Sequence, residues 1–236
     1  MLDGSACESS LSSKQIFSTA ETVDRPALRQ TLKPILAISN TFAANRSAPF
    51  PSKKVMNFLA KVDSKMLQLE RPSYEILEKS KSPAHYASIH YSDNMTVSLF
   101  GLLDVEDKLP LHDHPFIHGF IKVIYGKFQV FSFSAKSDVA PEIGGEIETF
   151  YEGVQVVTPE DDVIYLAPGY GNIHEIRALE PISIFIDILI PGYGSNTAAH
   201  YEMPRPLPPP KTKVTLKRKR KHFWTTNIDY PTLSNL

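Results

Sequence analysis

Apolar positions follow two different periods along the chain. In the first part, Leu28, Leu32 and Ile35 share one face of a helix because three or four residues separate neighbours. Pro34 lies inside this stripe and has no backbone N–H, so we expect the helix to kink or restart there. A second stripe follows a proline-rich break. We expect residues 26–80 to form amphipathic helices that pack on the next domain rather than bind a cofactor.

From His85 onward the period becomes that of β-strands. Short apolar runs alternate with turn residues, and no helical stretch lies between them. Such spacing favours an antiparallel sandwich or barrel over alternating strands and helices. Besides early strands around residues 89–103, the expected strands are two that flank Tyr125-Gly126-Lys127, then Glu148–Thr158, Val163–Leu166, Asn172–Leu179 and Ile182–Ile190.

The two ends of the chain differ from this β-rich region, residues 81–203. Residues 1–25 are rich in Ser and Thr without an apolar period, and we expect a mobile arm. Residues 204–236 begin with a proline-rich connector. Beyond it, Val214–Leu216 and Phe223–Trp224 could add a last strand, with the tryptophan anchoring that segment to the body.

Composition narrows the class of protein. With 42% hydrophobic and 22% charged residues, the 236-residue chain has ample material for a core, so it is not a disordered or fibrous protein. The single cysteine, Cys7, excludes an intrachain disulfide and a multi-cysteine metal site, and we assign it no role. No secretory signal or bilayer-spanning apolar stretch is visible. We expect a cytoplasmic monomer without a membrane partner.

Charge is distributed unevenly. The net charge is −1, but seven basic residues and no acidic one lie between Lys211 and Lys221. The remainder of the chain therefore carries −8, which makes it a poor binder of phosphate backbones, and we expect no nucleic-acid partner. The run Lys217–Lys221 resembles a nuclear-import signal. A solvated edge beside the proline connector is the alternative.

Three histidines carry the main chemical signal. His112 and His114 are two positions apart, so on a strand their side chains point to the same side. Such a pair alone is weak evidence, since exposed loop histidines can have this spacing. A third histidine, His174, follows the turn Pro168-Gly-Tyr-Gly171 after an interval of strands. Together they indicate a metal site.

These motifs resemble those of the cupin superfamily. The resemblance rests on His112-x-His114, Gly126 after a strand, and the second motif that ends at His174. It implies a mainly β fold, the double-stranded β-helix or small jelly roll, here with N-terminal α-helices. Cupins usually carry a glutamate ligand four or five positions after the second histidine, where this chain has His118 and Gly119. The resemblance thus implies three neutral histidines without a carboxylate.

A closer resemblance is to the thiol dioxygenases that act on 2-aminoethanethiol (cysteamine) and on N-terminal cysteines, including plant cysteine oxidases. It runs from about His85 to Tyr201, with a weaker echo at Phe223–Trp224. The matching motifs are Leu109-Pro-Leu-His-Asp-His-Pro115, His118-Gly119, Lys122-Val-Ile-Tyr-Gly126, Asn172-Ile-His-Glu-Ile176, Asp187-Ile-Leu-Ile-Pro-Gly-Tyr193 and Ala199-His-Tyr201.

This resemblance implies roles for individual residues. His112, His114 and His174 would hold Fe(II). Asp187 would bind the substrate's ammonium, although without the family a polar strand residue is the simpler interpretation. The other implied residues are Tyr193 as a lining or capping residue of the pocket, Tyr201 near the iron, and His118 as a pocket residue rather than a fourth ligand.

Two positions depart from the family pattern. Ala199 replaces a cysteine that in many animal relatives forms a thioether link with the tyrosine two residues later, so no such link can form. We expect this loss to tune the rate rather than abolish it. Phe116 stands where relatives usually have glycine, and its ring would reshape access to the pocket for a peptide.

The preferred hypothesis is an Fe(II)-dependent thiol dioxygenase. It would use O2 to convert 2-aminoethanethiol, or the N-terminal cysteine of a protein, to its sulfinic acid, with a role in oxygen sensing implied by the family. One alternative is a non-catalytic, metal-stabilised cupin that acts as a binding or nuclear co-regulator module. Another is a cupin hydrolase or isomerase in which zinc activates water.

Overall fold

The computed structural model describes residues 25–70, 82–194 and 197–227, together with Leu233 and Leu236. The arm expected at residues 1–25 lies outside the described residues except for Arg25, and so do Cys7 and the last ten residues of the predicted helical extension. In the described part of the chain, no helix is both long and apolar enough to cross a membrane.

In the part of the chain that the structure describes, three helices precede the sheets: α1 (Pro26–Ala44), α2 (Ser52–Leu59) and α3 (Ser64–Leu67). Pro26 occupies the first turn of α1, where a missing N–H costs nothing because that group has no helical partner. Helix α1 also continues through Pro34, so the predicted restart does not occur. An interior proline costs about 3 kcal/mol. We attribute the continuity to the buried stripe on either side of it, which packs on the sheet below.

Twelve strands follow among the described residues, and most of those between His85 and Ile190 agree with the predicted ones. In chain order they are β1 (His85–Tyr91), β2 (Thr96–Leu102), β3 (Lys108–Asp113), β4 (His118–Tyr125), β5 (Phe128–Ser134), β6 (Glu146–Val157), β7 (Ile164–Leu166), β8 (Ile173–Ala178), β9 (Ser183–Ile190), β10 (His200–Tyr201), β11 (Thr212–Lys219) and β12 (Thr226–Asn227). One sheet has the order β12-β1-β2-β9-β4-β7. The other six pair in a closed ring in the order β10-β11-β6-β5-β8-β3.

The first sheet is apolar on both faces because each face meets a different layer. On β9, Ile184, Ile186 and Ile188 join the cluster that includes the buried residues of α1 and α2. The side chain of Phe185 points to the opposite face of β9. There it packs in a second cluster with residues from strands of the other sheet, including Phe128. The prediction that the helices pack on the β domain is confirmed, and so is the mainly β fold class.

The turn between β4 and β5 requires glycine. Gly126 has φ +74°, a conformation that costs a residue with a side chain about 1–2 kcal/mol. A Cβ at this position would also lie 2.8 Å from the Cα of Ser183, closer than such atoms approach. The Ser183 hydroxyl accepts the Lys127 N–H at 3.1 Å, which ties this turn to the start of β9.

The C-terminal segment adds two strands instead of one. Strand β11 pairs with β6 and with β10, and β12 pairs in parallel with β1. Phe223 packs against the core, whereas Trp224 is 62% exposed, so the prediction that the tryptophan anchors this segment is wrong. The basic run also enters the sheet: Lys217 is opposite Glu146, and Lys219 is opposite His200.

Candidate metal centre and substrate cavity

The second sheet brings the three histidines together. His112 lies on β3 directly opposite His174 on β8, and His114 follows β3 by one residue. Their ring centroids are 4.6–4.9 Å apart, and one nitrogen from each ring lies within 4.8 Å of the others. This is the spacing of three side chains that can share one metal ion.

An irregularity in β3 orients the first of these rings. The register between β3 and β8 shifts between Leu109 and His112, at Pro110, which has no N–H to give to the ladder. The Leu111 N–H instead donates to the buried carboxylate of Glu175 at 3.2 Å. The carbonyl of Pro110 lies 2.8 Å from Nδ1 of His112. Donation from Nδ1 leaves Nε2 with its lone pair for a metal.

The other two rings are held differently. The hydroxyl of Tyr193 lies 2.5 Å from Nδ1 of His114, a contact that fixes the orientation of that ring. Nδ1 of His174 is buried without a hydrogen-bond partner. Burial lowers the pKa of all three imidazoles, and their mutual repulsion lowers the pKa of His114 and His174 further. Neutral imidazoles are the form that binds a metal.

No carboxylate completes this cluster among the residues that the structure describes. Asp113 stands between two of the histidines in sequence, but it faces the opposite side of the strand. Its carboxylate accepts the Ala199 N–H at 2.7 Å and the Tyr201 hydroxyl at 2.8 Å. The donor set of three converging neutral nitrogens fits a divalent transition metal with open coordination positions.

A cavity of about 170 Å³ adjoins the three rings. Asp187 lines it from β9, and Tyr193 lines it from the Pro191-Gly192 turn that follows this strand. The Asp187 carboxyl has no hydrogen-bond or ion-pair partner among the described residues, and burial raises its pKa to about 7. An unpaired carboxyl beside a candidate metal centre is poised to bind a cationic group from a ligand.

Four hydroxyl-bearing residues of this cavity were missed at the sequence level: Tyr86, Tyr91, Thr96 and Ser98. Ser98 is directly opposite Asp187 in the ladder, and its hydroxyl donates to the Tyr86 hydroxyl at 3.1 Å. The Thr96 hydroxyl is buried without a partner. Thr96 and Ser98 share one face of β2, which was a usable signal, but the pairing of β2 with β9 was needed to interpret it.

A second, outer chamber of about 390 Å³ adjoins the inner cavity. The two share the walls formed by His112 and Tyr193. The outer chamber is also lined by His200, which the sequence analysis treated as an ordinary residue, and by Lys221. The ring of His200 is 5.9 Å from that of His112, and burial lowers its pKa to about 4.

Two residues expected at the pocket line neither chamber. His118 points to the helix-covered face of β4, where its ring stacks on Phe50 at 4.1 Å and its Nδ1 lies 2.8 Å from the Tyr165 hydroxyl. The expectation that His118 is a pocket residue is therefore corrected. Phe116 occupies the turn before β4 with φ +60° and is 55% exposed, so its ring does not narrow the cavity.

Tyr201 is buried on the far side of β10 from the cavity. Its ring packs with Leu111 and Phe133, and its hydroxyl donates to Asp113. A role near the metal, implied by the family resemblance, would have to act through this aspartate. Ala199 lies beside it and is 3% exposed, without the sulfur that a thioether link needs.

The fold and this site together define a cupin with a three-histidine metal-binding cluster and an acidic residue in the adjoining cavity. Residues 55–235 match the model of the PCO_ADO family, which is most of the chain. The protein belongs to the PCO_ADO family. The family predicted from the motifs is thus confirmed, and with it the enzyme class, that of the thiol dioxygenases.

Several characterised relatives align with the chain. It is 28% identical over 184 residues to human 2-aminoethanethiol dioxygenase, an alignment that covers 66% of this chain and 67% of that protein. The mouse protein of the same name is 28% identical, with 56% of this chain and 59% of that protein covered. Plant cysteine oxidase 1 of Arabidopsis thaliana is 24% identical, covering 55% of this chain and 44% of the plant protein. The chain thus spans about two thirds of the human relative's length and less of the other two.

Solved structures that align with part of the chain include KdgF from Halomonas sp. and a cupin superfamily protein from Desulfitobacterium hafniense. KdgF is 16% identical, with a TM-score of 0.35, and the alignment covers 48% of this chain and 84% of the KdgF chain. The cupin superfamily protein is 19% identical, with a TM-score of 0.34, and the alignment covers 51% of this chain and 91% of that chain.

Proposed function

We propose that this protein is an Fe(II)-dependent dioxygenase that adds both atoms of O2 to the sulfur of an amine-bearing thiol. The thiolate R–S⁻ and O2 give the sulfinate R–SO2⁻, in which sulfur has lost four electrons and the two oxygen atoms have gained them. No further reductant is needed. With 2-aminoethanethiol the product is hypotaurine, and with an N-terminal cysteine it is the cysteine sulfinate.

The observation that carries this proposal is the pairing of a carboxylate-free histidine cluster with an isolated acid in one cavity. Three neutral imidazoles leave the charge of a divalent ion uncompensated, so an anionic ligand such as a thiolate is favoured. Asp187, which lines the same cavity, is complementary to an ammonium group. When bound by His112, His114 and His174, Fe(II) would supply the redox chemistry that joins O2 to sulfur.

The chain's own residues have distinct tasks in this proposal. Asp187 binds the ammonium and so places the thiol two carbons away toward the histidines. A cation beside the carboxyl favours its charged form, which lowers its pKa from the value in the empty cavity. Tyr193 holds the ring of His114. Apolar walls that include Phe100, Ile121, Ile176 and Phe185 limit the access of water.

The physiological thiol decides the biological role. A free 2-aminoethanethiol substrate would make the protein a metabolic enzyme. An N-terminal cysteine substrate would make it an oxygen sensor, because the extent of sulfinate formation would follow the O2 concentration. The inner cavity accommodates the shared aminothiol end of both substrates.

The test is anaerobic loading with Fe(II), followed by O2 uptake and mass spectrometry with 2-aminoethanethiol and, separately, a cysteine-initiated peptide. We expect a mass gain of two oxygen atoms in at least one thiol, and no gain with the His174→Ala variant or with zinc-loaded protein. Iron-loaded protein that oxidises neither thiol would refute the proposal. In that case, binding of a partner that survives His112→Ala would support a non-catalytic module.

A further inference from the structure

The charges along the route to the metal centre have opposite signs at its two ends. Asp187 is the acidic residue of the inner cavity. Lys221 is the one residue with a formal charge among the described residues that line the outer chamber, and no aspartate or glutamate is among them. A ligand that carries an ammonium inside and an anion further out complements both.

The position of Lys221 results from the fold of the C-terminal segment. Strand β11 runs antiparallel to β10, which places Lys219 opposite His200. Lys221, two residues later, therefore lies at the outer chamber that His200 also lines. Phe223 packs on the core and holds the following residues beside the opening. The proximity is also electrostatic, since the charge of Lys221 lowers the pKa of both His112 and His200. One residue of the basic run therefore belongs to the entrance.

The size of the outer chamber exceeds the needs of a two-carbon aminothiol. The inner cavity, about 170 Å³, is below the range of about 300–1,000 Å³ that is usual for pockets of drug-sized ligands. The outer chamber, about 390 Å³, falls within that range and shares lining residues, including His112 and Tyr193, with the inner cavity. Consecutive residues of a peptide are at most about 3.6 Å apart along the chain. With an N-terminal cysteine bound in the inner cavity, the next residue would therefore be the first to reach the outer chamber.

We propose that the outer chamber is the subsite for the residues that follow an N-terminal cysteine, and that Lys221 selects peptides with Asp or Glu directly after this cysteine. This inference rests on the proposed function and deepens it by naming which N-terminal cysteine peptides are preferred. Lys221 is a specificity-determining residue in this scheme, and Thr197 and Thr225 add hydroxyl groups to the walls of the same chamber.

The experiment compares three otherwise identical peptides that begin Cys-Asp, Cys-Asn and Cys-Lys, with iron-loaded protein and kcat/KM for sulfinate formation as the readout. We expect the Asp peptide to exceed the Lys peptide by about threefold to tenfold, the range of a partly exposed charge pair, with the Asn peptide between them. The preference should shrink in about 0.5 M salt because screening weakens exposed charge interactions.

Variants separate this charge effect from a structural one. Lys221→Glu should invert the order of the three peptides, and Lys221→Arg should keep it. Lys213→Glu is the matched control, because Lys213 is an exposed residue of β11 that lines neither chamber, and it should leave the order and the rates unchanged.

The outcomes distinguish the two proposals. Equal kcat/KM for the three peptides, or an unchanged order in Lys221→Glu, would overturn the inference while thiol oxidation stands. Oxidation of 2-aminoethanethiol without oxidation of any peptide would also overturn it. Iron-loaded protein that oxidises neither kind of thiol would instead refute the proposed function itself.

Discussion

Replacement of Asp187 by asparagine should stabilise the metal-free protein. The carboxyl lies in a cavity whose other titratable lining groups, among the described residues, are three tyrosines and the three clustered histidines, and none of them forms an ion pair with it. The tyrosines are Tyr86, Tyr91 and Tyr193. The amide of asparagine has nearly the shape of the protonated acid but never carries its charge. The substitution therefore removes the cost of a buried anion with little change in packing.

The magnitude follows from the pKa of Asp187, which burial raises from 3.8 to about 7. A shift of about three units corresponds to about 4 kcal/mol between the two protonation states. Below the unfolded-state pKa both states hold the proton, so the carboxyl costs nothing. As the pH rises toward 7 the unfolded state releases its proton first and gains stability relative to the folded state. Above 7 the full penalty is present.

The assay is urea unfolding of chelator-treated protein at about pH 4, 6 and 8. Wild type and Asp187→Asn should be nearly equal at pH 4, and the variant should be more stable by up to about 4 kcal/mol at pH 8. Asp93→Asn is the matched control, because this exposed aspartate lies between β1 and β2 and lines neither chamber. A wild-type-to-variant difference that is the same at all three pH values would refute the argument, because it would mean that the carboxyl is not desolvated.

The same variant should lose activity while it gains stability. A hydrogen bond to a charged group contributes about 1.5–3 kcal/mol, so kcat/KM for 2-aminoethanethiol should fall by about 10- to 100-fold. A thiol without an amine, such as 2-mercaptoethanol, should show no such loss. If both thiols lose activity equally, Asp187 does not bind the ammonium.

Three further predictions concern the metal centre and the fold. His174→Ala should lose iron, measured as metal content after anaerobic loading. The loss of metal affinity should exceed the 10- to 100-fold decrease that is typical when a residue that only orients a metal ligand is removed. Tyr193→Phe should show that weaker effect, about 10-fold in a metal titration, with an unchanged unfolding midpoint. Gly144→Ala should lower the free energy of unfolding by about 1–2 kcal/mol, because Gly144 has a positive φ. Gly126→Ala should lower it by more, because Gly126 also has a positive φ and its new Cβ would collide with Ser183. Equal losses in urea unfolding would contradict this reasoning.

Local periodicity was enough to predict most of the secondary structure. The stripe in α1, the paired strands around Gly126 and the strands up to Ile190 are all present because each buries an apolar face at the spacing of its element. Helix α1 continues through Pro34 without the restart that was one of the two expected outcomes, because tertiary packing of the stripe outweighs one missing hydrogen bond. The prediction failed at Trp224, since a large apolar side chain is buried only if the surface beneath it is free.

The candidate site divides in the same way. The common direction of His112 and His114 follows from the two-residue period of a strand, and the sequence motifs indicated the family. The sequence could not decide on which face of β4 the His118 side chain lies. A two-residue period predicts which residues share a face of a strand, but it does not predict what packs on that face. Here α1 and α2 cover it, and the ring stacks on Phe50.

By itself, then, the sequence determined the elements, the β-rich class, the family and the three histidines that share a site, because these depend on local spacing and motif identity. Only the tertiary structure decided that Asp187 is unpaired in the same cavity, that Ser98 lies opposite it, and that Lys221 reaches the entrance. These placements depend on the order and register of strands far apart in the chain. Hydrophobic burial and backbone pairing set that register over the whole barrel, and no short segment contains it.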